Sequence, residues 1–401
     1  MPSLATVIEA LERAYDPSTA ESWDAVGLVC GDPDATVGRV LFAVDPTAAV
    51  IDEAINWGAD LLVAHHPLLL TAVHSVATTT PKGRAIHRLI TAGCALFVAH
   101  TNADSARPGV SDALADAIGI TDLRPLVPAE PTPYDKLVVF IPVGDAERLV
   151  DALASVGAGA IGAYSRCAWM AEGIGTFTPE VGATPTVGAI GWPEDVVESR
   201  VEMVVPRARR AEAVAALRAV HPYEEPAFDV YEVAPPVAAS TGTGRIGRLA
   251  EPRSLESFVE QVAAALPRTA VGVRAAGDPR TTVKTVAVCG GSGAPYVDAA
   301  RAAGADVYVT ADLKHHATSE AMEPGPQGSP MALLDVTHWA SEWPWLEMAS
   351  RRLTHDLEEV VDPAAPYDLS AAPGTPATVE TRVSRLVTDP WTLHVPSAAS
   401  L

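Results

Sequence analysis

The chain has 401 residues, enough for two or three domains with a sizeable core. With 48% hydrophobic and 19% charged residues it reads as a globular protein, not a disordered one. Its 50 acidic and 28 basic residues leave a net charge of -22, which repels duplex phosphate and argues against a general nucleic-acid partner.

The opening MPSLATVIEALERAY lacks a basic leader followed by a long apolar run, so no signal peptide is expected. The spacing of Leu4, Val7, Ile8 and Leu11 predicts an amphipathic helix instead. No run approaches the roughly 20 apolar residues of a membrane span. Cys30, Cys94, Cys167 and Cys289 are far apart and form no CxxC pair, and Cys94 and Cys289, in apolar segments, are read as buried reduced thiols. These features predict a cytoplasmic protein without a membrane partner.

A strand is predicted at RVLFAVD, a helix over PTAAVIDEAINWGA that ends near Gly58, and a strand again at DLLVAHHP. A helical KGRAIHRLITAG and a strand-like CALFVAHTNADS follow. Alternation of this kind argues for an α/β arrangement with mostly parallel strands, in which ligands gather beyond the carboxyl ends. His65 and His66 sit at one such end. Neighbours on a strand point to opposite faces, so both can serve one site only where the backbone turns.

Two proline-rich stretches, Pro125 to Asp135 and Glu232 to Gly244, read as linkers. Between them KLVVFIPV, SRVEMVVP and AFDVYEV are predicted strands, and DAERLVDALASVG and RARRAEAVAALRAV predicted helices. A βαβ pattern run twice suggests a ferredoxin-like insertion. The predicted division is therefore 1–130 and 239–401 for one α/β domain in two parts, with 131–238 inserted.

After Gly244 the α/β rhythm returns through TVKTVAVCGGSG, a helical PYVDAARAAGA, DVYVTADLKHH and PMALLDVTHWASE. Pro344 predicts that the next helix starts near Ser341, as N-cap, which leaves His338 on the preceding loop and Glu342 at the helix start. The low-complexity PAAPYDLSAAPGTPA reads as a mobile loop, and VETRVSRLV as a last strand.

Four predicted strand ends carry potential metal ligands: His65 with His66, His100 through Asp104, Asp312 through His316, and His338 with Glu342. Six of the eleven histidines fall there. Independent structural roles at all four ends are less probable than one shared site. Imidazole and carboxylate without thiolate suit Zn, Mn, Fe, Co or Ni. Cys289 to Gly293, CGGSG, lacks the lysine and spacing of a P-loop and reads as a tight turn. His221 to Pro226, HPYEEP, also reads as a structural turn.

SWDAVGLVCGDP, LLVAHHPLL, AHTNADSARPGVSDALA, GRIGRL, DLKHH and DVTHWASEWPWLEMASRRL, in this order, resemble the GTP cyclohydrolase 1 type 2 homologues, also described as NIF-three-like dinuclear-metal hexameric proteins. GIGTFTPEVGATPTVG and HPYEEPAFDVYEV look like the PII/CutA-like insertion of their longer bacterial members. Ala25 departs from the family pattern, which usually has Asn there. The resemblance implies a NIF-three-like α/β domain carrying the insertion, and a homohexamer. It implies two divalent metal ions per chain held by His65, His66, Asp104, His338 and Glu342, with Glu342 or a water between them. His100 and His316 would line the site. The implied activity is metal-assisted hydrolysis of a nucleotide such as GTP, with His316 or Asp312 as proton carrier. The alternative is a non-catalytic metal-binding regulator or adaptor.

Overall fold

The computed structural model describes residues 1–129, 133–162, 164–234, 240–323, 331–358 and 379–395. The chain divides into two compact units, Met1–Ala129 with Ala239–Leu401, and Glu130–Ala238. The low-complexity PAAPYDLSAAPGTPA lies outside the described residues. Among the described residues, no helix is long and apolar enough to cross a membrane.

The first unit opens with α1 (Leu4–Ala14), β1 (Gly27–Cys30), β2 (Arg39–Ala43), α2 (Ala48–Trp57) and β3 (Leu61–Ala64). It continues through α3 (Pro81–Ala92), β4 (Ala95–Val98), α4 (Thr101–Ser105), α5 (Val110–Ala117) and β5 (Ile120–Pro128). Helix boundaries follow local chemistry. Ser3, Thr47 and Thr80 accept an amide hydrogen bond at the starts of α1, α2 and α3. Gly58 and Gly93 end α2 and α3 in the left-handed conformation.

The second unit holds β6 (Tyr134–Pro142), α6 (Ala146–Ser155), β7 (Trp169–Phe177), β8 (Glu194–Pro206), α7 (Arg210–Val220) and β9 (Phe228–Val233). Its sheet is antiparallel throughout, in the order β7-β8-β6-β9. That βαββαβ order is ferredoxin-like. Strand β7, which the sequence pattern did not reveal, forms a hairpin with β8 and completes it.

The first unit then resumes with β10 (Gly242–Ser254), α8 (Leu255–Ala265), β11 (Arg274–Ala276), β12 (Thr282–Ser292), α9 (Val297–Ala302) and β13 (Val307–Ala311). It closes with α10 (His315–Ala321), β14 (Ala332–Val336), α11 (His338–Glu358) and β15 (Glu380–Val383). One sheet runs β1-β4-β3-β2-β15 and the other β11-β14-β13-β12-β10-β5. Strands β15, β2, β3 and β4 are parallel in the first, as are β12, β13 and β14 in the second. A shared core joins Val40, Phe42, Leu61 and Phe97 to Val286, Val307 and Leu334 through α1, α5, α8 and α11. The outer faces pack on α2 and α3 for one sheet, and on α9 and α10 for the other.

The proline-rich stretches are corrected here. Pro125 and Pro128 belong to β5, Tyr134 and Asp135 to β6, Glu232 and Val233 to β9, and Gly242 to β10. Strand β5 is an edge strand, where a proline without its N–H is tolerated.

Candidate metal centre

The carboxyl ends of parallel strands from both sheets converge on one pocket. His65 and His66 follow β3, where the backbone bends, and His100 follows β4. From the other sheet Asp312 follows β13, and His338 opens α11 directly after β14. The rings of His65 and His66 lie 5.1 Å apart, and that of His338 lies 5.1 Å from His66.

Each imidazole is held by its Nδ1. His65 Nδ1 donates to the Ala99 carbonyl at 2.8 Å, and His66 Nδ1 to Asp45 Oδ1 at 2.7 Å. His100 Nδ1 donates to Asp24 Oδ1 at 2.8 Å, and His338 Nδ1 to Asp312 Oδ2 at 2.7 Å. An acceptor on Nδ1 fixes the tautomer and leaves Nε2 as the ligating atom. The Nε2 atoms of His66 and His338 are 3.2 Å apart.

Glu342 lies among these nitrogens with only 3% of its surface exposed. Its Oε1 is 2.9 Å from His338 Nε2 and 3.5 Å from His65 Nε2, and its Oε2 is 3.2 Å from His66 Nε2. His65 Nε2 and Glu342 Oε2 are nevertheless buried without a hydrogen bond. Such orphaned polar atoms are rare, and a cation between them would satisfy both. Two groups among the described residues have the spacing to hold a metal ion: His65, His66 and His100, and His66, His338 and Glu342.

Electrostatics point the same way. Burial disfavours protonation of His66, but Glu342 and Asp45 outweigh it and push its pKa up to about 11. His338 is likewise raised, to about 9, by Glu342 and Asp312 against its burial. Burial would raise the Glu342 carboxyl, but His66, His65 and His338 hold it well below the usual range. Burial raises Asp104 to about 6, reinforced by Glu342 and opposed by His65. His100 is pushed down by burial and by His65, despite Asp24. Without metal, protons on the surrounding imidazoles therefore balance the Glu342 charge, and a bound cation would take their place.

The residues expected from sequence fall as follows. His65, His66, His338 and Glu342 come together. Asp104, on α4, approaches more loosely, with Oδ1 at 3.8 Å from His65 Nε2. His100 is brought into the cluster, its ring 5.2 Å from His65. Asp312 anchors His338 and adopts a left-handed φ of 58°. His316 lies exposed on α10, with its ring against His315.

The predicted start of α11 is corrected. The helix begins at His338, so His338 and Glu342 stand one turn apart on one face, and Pro344 lies inside it. Ser341 is no N-cap: its hydroxyl donates to the His338 carbonyl and accepts the Gly291 amide. Tertiary packing tolerates the proline, since Trp345 and Leu346 immediately after it are fully buried.

The CGGSG segment is not the expected tight turn: Cys289–Ser292 continue β12, with a register irregularity between Val288 and Ser292, and the amides of Gly290 and Gly291 bond to the hydroxyls of Ser111 and Ser341. It also walls the pocket. A Cβ on Gly291, at φ +64°, would lie 2.5 Å from Glu342 Oε1. The HPYEEP turn is structural: His221 Nε2 donates to the Phe140 carbonyl while Nδ1 accepts the Tyr223 amide. Sequence reading missed Asp45 and Asp24 as ring anchors. Asp45 ends RVLFAVD, and the strand-end rule used for the histidines would have flagged it.

Comparison with known proteins completes the description. The family model described as Duf34/NIF3 (NGG1p interacting factor 3) matches residues 2–365. A Mycobacterium tuberculosis protein called GTP cyclohydrolase 1 type 2 homolog is 49% identical over 391 residues, covering 97% of each chain. A Bacillus subtilis protein of the same name is 38% identical over 348 residues, covering 87% of this chain and 91% of its own. Among solved structures, a Bacillus cereus protein related to NIF3 matches at 34% identity with TM-score 0.67, covering 98% of this chain and 99% of its own.

Proposed function

The chain belongs to the Duf34/NIF3 family, and from that premise we propose that it holds two divalent metal ions and uses them to hydrolyse a nucleotide such as GTP. The observation that carries the metal reading is the pair of orphaned buried atoms, His65 Nε2 and Glu342 Oε2, facing one pocket. His65, His66, Asp104, His338 and Glu342 are the proposed ligands, and Glu342 faces three imidazoles, as a bridging carboxylate would. The donor set suits Zn, Mn, Fe, Co or Ni.

A divalent ion held there supplies a Lewis acid and lowers the pKa of water toward neutrality. The chain's own residues do the rest. Asp45, Asp24 and Asp312 orient the rings of His66, His100 and His338. Asp312, half exposed beside His338, is the residue we assign to proton exchange with solvent, ahead of His316. The shared name of the relatives motivates GTP, with opening of its imidazole ring and loss of formate.

Protein reconstituted separately with each metal should release formate from GTP, and His65→Ala should abolish that release. Turnover that survives His65→Ala would refute the dinuclear mechanism. Stoichiometric metal without turnover on any nucleoside triphosphate would favour the non-catalytic regulator.

A further inference from the structure

The inserted unit contains a cavity of about 570 Å³ in which the metal centre has no part. Strand alternation explains its position. Leu137, Val139 and Ile141 of β6 and Val201, Met203 and Val205 of β8 form the core with α6 and α7. Phe140, Glu198 and Arg200 lie between or beside these residues on the same strands, so they point to the opposite face. Register places Ala171 against Arg200 and Gly173 against Glu198, so Ala171, Gly173 and Gly175 of β7 share that face. A Cβ on Gly173 would meet nothing within 4 Å. The glycine thus leaves open space where a side chain would have filled it.

The connection from β7 to β8 lines the cavity with Pro185 and Val187. It is tied in place twice. The Thr184 amide donates to Glu224 Oε1 at 2.8 Å, and the Thr186 hydroxyl donates to the Pro222 carbonyl at 2.8 Å. Phe177 and Tyr223 add aromatic walls, with ring centroids 6.0 Å apart.

The polar groups are few and unbalanced. Glu198 and Glu224 bring carboxylates to the cavity, the latter already accepting the Thr184 amide, against the single guanidinium of Arg200. Arg200 Nε is already engaged by Glu202 at 3.0 Å. Glu198 is 9% exposed and makes no ion pair among the described residues. The Tyr223 hydroxyl is buried beside the Glu198 carboxylate. Its burial and the Glu198 carboxylate push the phenol up to about 12, so it stays neutral. A buried carboxylate is unfavourable without a cation.

We propose that this cavity binds a small molecule with an apolar, ring-sized body and one cationic nitrogen, the nitrogen reaching Glu198 and the body lying over Gly173. The inference does not depend on the metal-centre reading.

Naphthylmethylamine, naphthylmethanol and naphthoate share one ring and differ only in the charge of the head group. Titrated calorimetrically into the full-length protein, the amine should bind at least about tenfold more tightly than the alcohol, and the naphthoate should not bind. Glu198→Gln should bring the amine to the level of the alcohol. Gly173→Leu, which fills open space, should abolish binding of both while leaving thermal midpoint and metal content unchanged. Equal affinity for amine and alcohol, binding undiminished in Gly173→Leu, or no binding of any probe because a second copy covers the face would each overturn the proposal.

Discussion

At the scale of single residues, the centre is built as much from the atoms that orient the imidazoles as from the imidazoles themselves. Asp45 touches no proposed metal position; its Oδ1 accepts from His66 Nδ1, and the Thr388 hydroxyl bonds to its other oxygen. Asp45→Asn keeps the shape but weakens the anchor, and should lower metal affinity by about 10–100-fold in competition with a chromophoric chelator. An unchanged affinity would show that His66 needs no anchor. The imidazoles also make metal binding pH-dependent. Without metal, His66 at about 11 and His338 at about 9 carry protons at neutral pH. A metal ion must displace them, so affinity should rise with pH by about tenfold per unit for each proton released. Calorimetry in buffers of different ionisation enthalpy would count those protons. The linked effect on stability has the opposite sign. His338 is raised above the ordinary 6.5, so its contribution is complete below that value and is lost as pH rises through about 9. The chelated protein should therefore lose thermal stability across that window, and the loaded protein should not.

At the scale of elements, Arg245 pins β10 to the start of α5. It is fully buried, and all its donors are used. Its Nε and Nη2 meet the Asp112 carboxylate at 2.9 and 2.7 Å, and Nη1 donates to the carbonyls of Gly242 and Gly244. Nη2 also donates to the Ala106 carbonyl. Arg245→Met strands the buried Asp112 charge and should cost about 3–5 kcal/mol in chemical denaturation. A loss below about 1 kcal/mol would show that Asp112 finds another partner. The sequence made GRIGRL visible as a motif but not as this pin, because the partner lies 133 positions away. Other features divide the same way. The strand ends at His65, His100 and His338 were legible, because a polar residue closing an apolar run is a local pattern. The start of α11 was not, because Pro344 obeys a local rule that the burial of Trp345 and Leu346 overrides. Prolines at 125 and 128 resembled a linker because nothing local marks β5 as a sheet edge.

At the scale of the whole molecule, the insertion leaves and re-enters the first unit at neighbouring points of one sheet. Strand β5 ends at Pro128, β10 starts at Gly242, and these two residues pair in antiparallel register. The Ala129 amide continues the ladder to the Thr241 carbonyl at 3.0 Å. Two antiparallel neighbours need only a two-residue turn to join them. Replacing residues 130–240 with Asn-Gly should therefore leave a folded protein, since the core of the inserted unit shares no residue with that of the first. The five proposed ligands all lie outside the deleted segment, so its metal content should equal that of the full chain by elemental analysis. Light scattering on the same pair tests the expected homohexamer, with a mass about six times the 41.7 kDa of one chain. A shortened protein that keeps its metal but falls to a smaller assembly would assign the insertion to oligomerisation. One that loses its metal while still folded would place part of the centre's support in the inserted unit and overturn the separation argued from β5 and β10.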